Sequence, residues 1–183
     1  MAMPSKTAAF FDLDKTIIAR SSTAAFSREL QTNGLLTRAD ALRTAYAQFL
    51  FSVGGADARQ TSRLRDAIAE TIAGWEAVKV RRIVEETVEQ QIDPIVYDEA
   101  LRLIRRHQAN GRDVVVVSAS GTEVVEPIAH LLGTKDFIAS EMEVKDGKYT
   151  GKISLYCFGP YKAKAIRDLS EERGYDLARS YAY

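Results

Sequence analysis

The sequence is poor in cysteine, histidine, proline and long apolar runs. Its 183 residues include one cysteine, two histidines and four prolines. The single cysteine excludes an internal disulfide framework, and without a Cys/His cluster a structural zinc site is not expected. No apolar stretch approaches the roughly 18 residues of a membrane span. The apolar run near the start of the chain is too short and too charged for a signal peptide. We therefore expect a cytoplasmic protein with no membrane partner.

The sequence also lacks an excess of either charge. Its 25 basic and 25 acidic side chains cancel, so no overall field attracts nucleic acid. The 46% hydrophobic content is enough for a buried core, in one domain or one domain with an insertion. A phosphate group would have to be bound by local groups.

Two segments read as buried strands that end in polar residues. Thr7 to Leu13 is small, apolar and aromatic before it turns acidic, and four consecutive valines, Val114 to Val117, precede Ser118. In open α/β sheets, ligands bind at the carboxyl ends of the strands. These two strand ends are therefore the first place to look for a site.

An insertion separates the two strands. About a hundred residues lie between them, whereas a βαβ crossover needs only about a dozen. The spacing of apolar residues predicts a helical cap over residues 20–95, and an α/β core over residues 1–19 and 96–183. The four predicted cap helices are Ala24 to Leu30, Ala41 to Val53, Leu64 to Trp75 and Val80 to Ile92.

The rest of the chain predicts alternating helices and strands, which gives an α/β sheet carrying a cap. Asp146-Gly147 is a hairpin signal at the centre of a segment with alternating polarity. Pro127 is expected to break or kink its helix. The predicted elements are a helix from Asp98 to Gln108, a helix from Thr122 to Leu132, a hairpin from Phe137 to Leu155, a helix from Lys162 to Arg173, and the start of a third buried strand from Ser180 to Tyr183.

The acidic residues after the first strand are the strongest functional signal. Where the strand ends, the backbone can turn and bring Asp12 and Asp14 toward one crevice. The alternative is a solvated turn in which Asp14 and Thr16 cap the next helix.

The segment Phe10-Phe11-Asp12-Leu13-Asp14-Lys15-Thr16 resembles the first motif of the haloacid dehalogenase-like hydrolases, in particular the helical-cap branch that includes phosphoserine phosphatases. The resemblance implies a Rossmann-like core with a helical cap. It also implies that Asp12 attacks phosphorus and that Asp14 protonates the leaving group and later activates water.

This chemistry requires a hard cation, because a carboxylate that attacks a phosphate anion is repelled by it. We expect Mg²⁺ at Asp12 and at the carbonyl of Asp14. Asp14 must be protonated for one half-reaction and ionised for the other, so we expect the neighbouring carboxylate to raise its pKa. The Thr16 hydroxyl is expected to hold Asp14.

The second strand end supplies groups that suit a phosphate. Ser118-Ala119-Ser120-Gly121 offers a hydroxyl and several backbone amides where a helix begins, and helix N-termini favour anions. Ser118 resembles the family's second motif, with the amide of Ala119 beside it. Without Asp12, this stretch would read as an ordinary helix-capping loop.

A lysine completes the expected site. Lys162 follows Gly159-Pro160-Tyr161 just inside a predicted helix, as in the family's third motif, where the lysine stabilises the phosphoryl group. Lys164 is the competing candidate. A lone lysine on a helix is more often part of a solvated face.

Two features depart from the family pattern. No acidic fourth motif follows Ser180 to Tyr183, so we expect an incomplete metal site, little activity in these residues alone, and self-association through an apolar sheet edge near Ala182. Arg20-Ser21-Ser22-Thr23 occupies the place where phosphoserine phosphatases carry a glutamate for the substrate ammonium. Phosphoserine is therefore not the expected substrate.

The function expected from these residues is hydrolysis of a small phosphorylated metabolite. A phosphotransferase would need only an acceptor alcohol in place of water. A non-catalytic cation-binding or regulatory module is the alternative from another class, and the presence of both Ser118 and Lys162 argues against it.

Overall fold

The fold is built on one mixed sheet. The structure, a computed structural model, describes residues 6–37 and 66–183. Five strands lie in the order β4-β3-β2-β1-β5, with parallel neighbours except for the antiparallel β3/β4 pair. The predicted α/β fold is confirmed. The strands are β1 Ala8–Asp12, β2 Asp113–Gly121, β3 Asp136–Lys145, β4 Lys148–Leu155 and β5 Tyr181–Ala182.

Helices cover both faces of this sheet. Residues 66–72 are also helical, and two short 3₁₀ turns span Asp93–Ile95 and Leu177–Arg179. None of the helices in ranges 6–37 and 66–183 is both long and apolar enough to cross a membrane. The α-helices are α1 Ser22–Ala25, α2 Ser27–Thr32, α3 Ala77–Ile92, α4 Asp98–Ala109, α5 Thr122–Leu131 and α6 Pro160–Arg173.

The alternation of side chains along β1 and β2 explains why both faces are covered. Phe11 and Val116 contribute to one buried cluster with Ile104 of α4, whereas Phe10 and Val115 contribute to another cluster on the opposite face. Because successive side chains point to opposite faces, an apolar run such as the four valines needs helices on both sides. The sheet is therefore held in a three-layer arrangement, with helices on both faces.

The described part of the insertion is helical. Between residues 20 and 95 the regular elements within the described ranges are α1, α2, the segment 66–72, α3 and a 3₁₀ turn. Helix α3 and the segment 66–72 lie where cap helices were predicted. The predicted helix Ala41 to Val53 lies outside the described residues. The division at residues 20 and 95 stays a prediction.

The hairpin prediction is confirmed. Asp146 and Gly147 have φ angles of 52° and 78°, and they join β3 to β4 as the two central residues of the turn. Two positive φ angles suit a type I′ turn, which matches the twist of the paired strands. The amino-terminal half of β3 in addition pairs in parallel with β2, which the sequence did not indicate.

Three expectations need correction. Strand β2 does not end at Val117 but continues to Gly121, which pairs with Ser140 of β3. Pro127 lies inside α5, which runs from Thr122 to Leu131, so it does not break the helix, and a kink there stays a prediction. The segment that begins at Ser180 forms β5 beside β1, but its two strand residues are exposed rather than buried, since β5 lies at the sheet edge.

Candidate active site

Asp12 is the last residue of β1 and lies at the carboxyl edge of the sheet. Its Cα is the register partner of Val117 in β2. The Asp12 Oδ1 atom is 2.6 Å from the Lys162 Nζ atom, and the Asp12 side chain is 40% exposed. An accessible carboxylate with one oxygen paired to a cation leaves its other oxygen able to approach a ligand.

Lys162 is brought to Asp12 by the packing of α6. Ala165, Ile166 and Leu169 form the face of this helix that packs against the sheet. The Lys162 ammonium also donates a hydrogen bond of 3.4 Å to the carbonyl of Val117. The helix thus carries one lysine across the ends of β1 and β2.

Lys164, the competing candidate, faces elsewhere. Its Nζ atom is 2.5 Å from an Asp168 carboxylate oxygen one helical turn away, and both side chains are mostly exposed. This is a solvated i,i+4 pair of the kind that stabilises a helix only slightly. The geometry therefore associates Lys162, and not Lys164, with the acidic strand end.

A tight turn carries Asp14 back toward the strand ends. Lys15 adopts a left-handed conformation with φ of 64°, and the Leu13 carbonyl accepts hydrogen bonds from the amides of Ile17 and Ile18. Asp14 Oδ1 accepts a 2.9 Å hydrogen bond from the Ser22 amide. Within the described ranges no hydrogen bond joins the Thr16 hydroxyl to Asp14. The hydrogen bond expected from Thr16 is made instead by the Ser22 amide.

The pKa of the Asp14 carboxyl is raised above its ordinary value. Burial is the main cause, and the negative charge of Asp12 adds to it, while hydrogen bonds from Ser22 and the charge of Lys162 oppose the rise. The expected direction is confirmed. The expected cause was only part of it, because desolvation outweighs the neighbouring carboxylate.

Ser118 lies in the extended end of β2 and is almost fully buried, with 2% exposure. Its Oγ atom accepts a 3.1 Å hydrogen bond from the amide of Ser120. The Ser120 hydroxyl lies 2.8 Å from the Ser22 hydroxyl and 3.3 Å from that of Thr23. The end of β2 is therefore linked to the start of the insertion directly beside Asp14.

Sequence reasoning missed four residues of this region: Ser22, Ser120, Ser140 and Cys157. Ser140 and Cys157 are fully buried and hydrogen-bonded to each other below the strand ends. The run Ser21-Ser22-Thr23 was visible as a cluster of hydroxyls. Ser140 was visible only as a polar residue that ends the apolar run Phe137-Ile138-Ala139.

The chain is similar to known proteins in sequence and in fold. Residues 9–183 match the sequence profile of the family described as haloacid dehalogenase-like hydrolase. A protein of Streptomyces azureus named for inhibition of morphological differentiation is 54% identical over 179 residues, which is 97% of this chain and 65% of the relative. A probable phosphatase of Mycobacterium tuberculosis is 52% identical over 178 residues, which is 97% of this chain and 62% of the relative.

The chain thus spans just under two thirds of the length of these two curated relatives. Among solved structures, a phosphoserine phosphatase with an analogue of its phospho-aspartyl intermediate superposes with a TM-score of 0.66. The two chains are 20% identical, and the match covers 97% of this chain and 77% of the phosphatase. At that identity the likeness establishes a shared fold.

Proposed function

Because the chain belongs to the haloacid dehalogenase-like hydrolases, we propose that it hydrolyses phosphate monoesters through a covalent intermediate on Asp12. The observation that carries the proposal is the 2.6 Å contact between Asp12 Oδ1 and Lys162 Nζ at the carboxyl edge of the sheet, with Asp14 beside it. A nucleophile, a cation and a second carboxylate are then present at the point where open α/β sheets bind ligands.

The proposed reaction has two steps, phosphorylation of Asp12 and its dephosphorylation by water. In the first, an oxygen of Asp12 attacks phosphorus, the ester P–O bond breaks, and protonated Asp14 gives its proton to the departing alcohol. In the second, ionised Asp14 removes a proton from water, the water oxygen attacks phosphorus, and the bond to Asp12 breaks to release inorganic phosphate. The raised pKa of Asp14 favours the protonated form that the first step needs.

Lys162 and the end of β2 serve the phosphoryl group in this proposal. Lys162 is held at Asp12 before any ligand arrives, so its charge is in place where negative charge develops. The Ser118 hydroxyl and the backbone amide of Ala119 line the same edge. These groups bind and orient the phosphoryl oxygens.

The described residues supply some of the ligands that a divalent cation would need at this edge. No group of three or more His, Cys, Asp or Glu side chains suited to a metal occurs in residues 6–37 and 66–183. Mg²⁺ needs only one or two carboxylates when water and phosphate oxygens supply the remaining ligands. The Asp12 carboxylate and the Asp14 carbonyl would hold it. When bound, the ion would supply positive charge against the repulsion between Asp12 and the phosphate.

The substrate class that we propose is a small phosphorylated metabolite of the cytoplasm. Residues 20–95 would form the cap over the site. In the stretch where phosphoserine phosphatases carry a glutamate, the Ser22 amide contacts Asp14 and the Thr23 hydroxyl lies 3.3 Å from that of Ser120. A neutral hydroxyl does not balance a substrate ammonium as a carboxylate would. The proposal therefore favours substrates without an ammonium group next to the phosphate.

An aryl phosphate assay tests this function in the protein at its full encoded length. We expect Mg²⁺-dependent release of phosphate that chelation abolishes, and loss of activity in Asp12→Asn. Asp168→Asn is the control, because that carboxylate pairs with Lys164 on the solvated side of α6. Activity in Asp12→Asn equal to that of the control would overturn the nucleophile assignment.

A further inference from the structure

Ser140 is a fully buried hydroxyl that joins two separate parts of the proposed site. It lies in β3, where this strand pairs with the end of β2, and its exposure is 0%. Its Oγ atom donates a 2.7 Å hydrogen bond to the carbonyl of Ala119 and accepts a 3.0 Å hydrogen bond from the amide of Cys157. Both of its polar functions are therefore used.

The first hydrogen bond determines where a backbone amide points. The carbonyl of Ala119 and the amide N–H of Ser120 belong to the same planar peptide unit and point in opposite directions. When Ser140 holds that carbonyl below the strand end, the N–H of Ser120 is directed the other way, where it donates to Ser118 Oγ at 3.1 Å. Ser140 thus orients the amide that holds the Ser118 hydroxyl at the phosphate-binding edge.

The second hydrogen bond holds the loop that leads into α6. Cys157 is fully buried against the sheet and precedes Gly159, after which α6 begins and carries Lys162 to Asp12. The Cys157 amide donates its hydrogen bond to the Ser140 hydroxyl, so this loop is tied to β3. One side chain therefore fixes the approach of the lysine and the direction of the Ser120 amide together.

We propose that Ser140 is a positioning residue for phosphoryl transfer, which aligns the Lys162 loop and, through the Ser120 amide, the Ser118 hydroxyl around the phosphoryl group. The inference rests on the proposed function. It adds a residue that touches neither substrate nor metal and acts through two backbone groups. A preorganised donor, such as the Ser118 hydroxyl held by the Ser120 amide, stabilises the transition state because it needs no reorientation during the reaction.

A merely structural role can be separated from this one, because the chain contains a matched hydroxyl at the other end of β2. The Thr134 hydroxyl donates a 2.5 Å hydrogen bond to the carbonyl of Val114 and accepts a 3.3 Å hydrogen bond from the amide of Asp136. Thr134 is 8% exposed. It makes the same pair of bonds as Ser140, far from the acidic strand end.

The experiment compares Ser140→Ala and Thr134→Val in the protein at its full encoded length. Each variant leaves a buried carbonyl and amide unpaired, so both should lower the melting temperature. For Ser140→Ala we expect kcat for an aryl phosphate to fall at least about tenfold and the Kd for orthovanadate to rise, because a preorganised donor is misdirected. Thr134→Val should keep both values within about threefold of the parent.

Two further variants keep the test decisive if Ser140→Ala folds poorly. Ser140→Thr retains the hydroxyl and should recover most of kcat, whereas Ser140→Cys fills the same space with a weakly bonding sulfur and should not. Equal kcat and vanadate affinity in Ser140→Ala and Thr134→Val, with an active parent, would overturn the positioning role alone. A parent without phosphatase activity would overturn the proposed function and this inference with it.

Discussion

Lys162 occupies a position that helix electrostatics alone would disfavour. It lies in the first turn of α6, which begins at Pro160, and a cation near a helix N-terminus typically loses about 0.3–1 kcal/mol. Its compensating contacts are the Asp12 carboxylate and the Val117 carbonyl, both at the sheet edge. The placement is thus explained by the strand ends and not by the helix.

Replacing Lys162 by Met should reduce kcat/KM by about a hundredfold or more, because the charge that faces the phosphoryl group is lost while the aliphatic volume is kept. Steady-state kinetics with an aryl phosphate measures this. Lys164→Met is the matched control, since that lysine pairs only with Asp168 on the exposed face, and its kcat/KM should stay within about threefold. Equal losses in the two variants would refute the role of Lys162.

At the scale of single residues, the sequence predicted those site residues that belong to short motifs. Asp12, Asp14, Ser118 and Lys162 were named from strand-end patterns together with the resemblance to the family's motifs, and the structure brings their strand and helix ends to one edge. Ser22 and Ser140 were missed, because each acts through hydrogen bonds to residues distant in sequence. The main cause of the Asp14 pKa shift was missed for a similar reason, since burial depends on tertiary packing.

The β3–β4 hairpin contacts the insertion through its backbone. Its backbone exchanges hydrogen bonds with residues 74–77: Gly74 donates to Tyr149 at 2.8 Å and Tyr149 donates to Trp75 at 3.0 Å. Gly151 of β4 has φ of 82°, and a Cβ atom there would lie 3.1 Å from Ala73 Cβ and 3.3 Å from the Ala69 carbonyl oxygen. The hairpin and the helical segment 66–72 therefore pack so closely that no side chain has room at position 151.

Gly151→Ala should lower the free energy of unfolding by more than Gly133→Ala. Gly133 has a similar φ of 77° but open space around the added Cβ, so its variant reports the backbone cost alone, about 1 kcal/mol. Gly151→Ala adds the close contact with Ala69, for a further cost of about 1–3 kcal/mol. Urea unfolding of both variants measures the difference. Equal losses would mean that the hairpin does not pack this closely on the insertion.

Helices, strands and turns were predictable where residues adjacent in sequence determine them. Asp146-Gly147 indicated a two-residue turn, and both residues have the positive φ angles that such a turn needs. The parallel pairing of β3 with β2 was not predictable, because it depends on a register between segments separated by α5. The same pairing extends β2 to Gly121, so Ser118 to Gly121 form strand where a loop was expected.

At the scale of the whole molecule, the buried His107 links stability to pH. His107 is 4% exposed, its Nε2 atom is 2.9 Å from the Tyr183 hydroxyl, and its Nδ1 atom is buried without a hydrogen-bond partner among the described residues. Burial, followed by the positive charges of Arg112 and Arg106, holds the pKa of His107 below its ordinary value. The folded protein therefore favours the neutral imidazole.

A lowered folded-state pKa means that the unfolded chain binds the proton more readily. The stability from neutral His107 is present above its ordinary pKa of about 6.5 and is lost as pH falls through the folded-state value. His107→Phe should flatten the fall in melting temperature between about pH 7.5 and 5. His130→Gln, a change at the surface, is the control and should not alter the decrease in melting temperature over this pH range. An unchanged slope in His107→Phe would contradict this account.

The overall architecture was predictable because strands buried on both faces read as continuous apolar runs. Phe10 and Phe11 in β1 and the valines of β2 indicated central parallel strands, and the long interval between them indicated an insertion. The exposure of β5 agrees with the sheet edge expected near Ala182, although Ser180 to Tyr183 alone shows no pattern that separates an edge strand from a central one. Self-association through this edge stays a prediction.

The most direct test of the central claim is to trap the phosphorylated enzyme. Acid quenching during turnover of a labelled aryl phosphate, followed by peptide mapping, should locate one phosphoryl group on Asp12. Asp12→Asn should carry no label, and Asp168→Asn should be labelled as the parent is. Label on another residue, or hydrolysis by Asp12→Asn at the parent's rate, would contradict the assignment of Asp12 as the nucleophile.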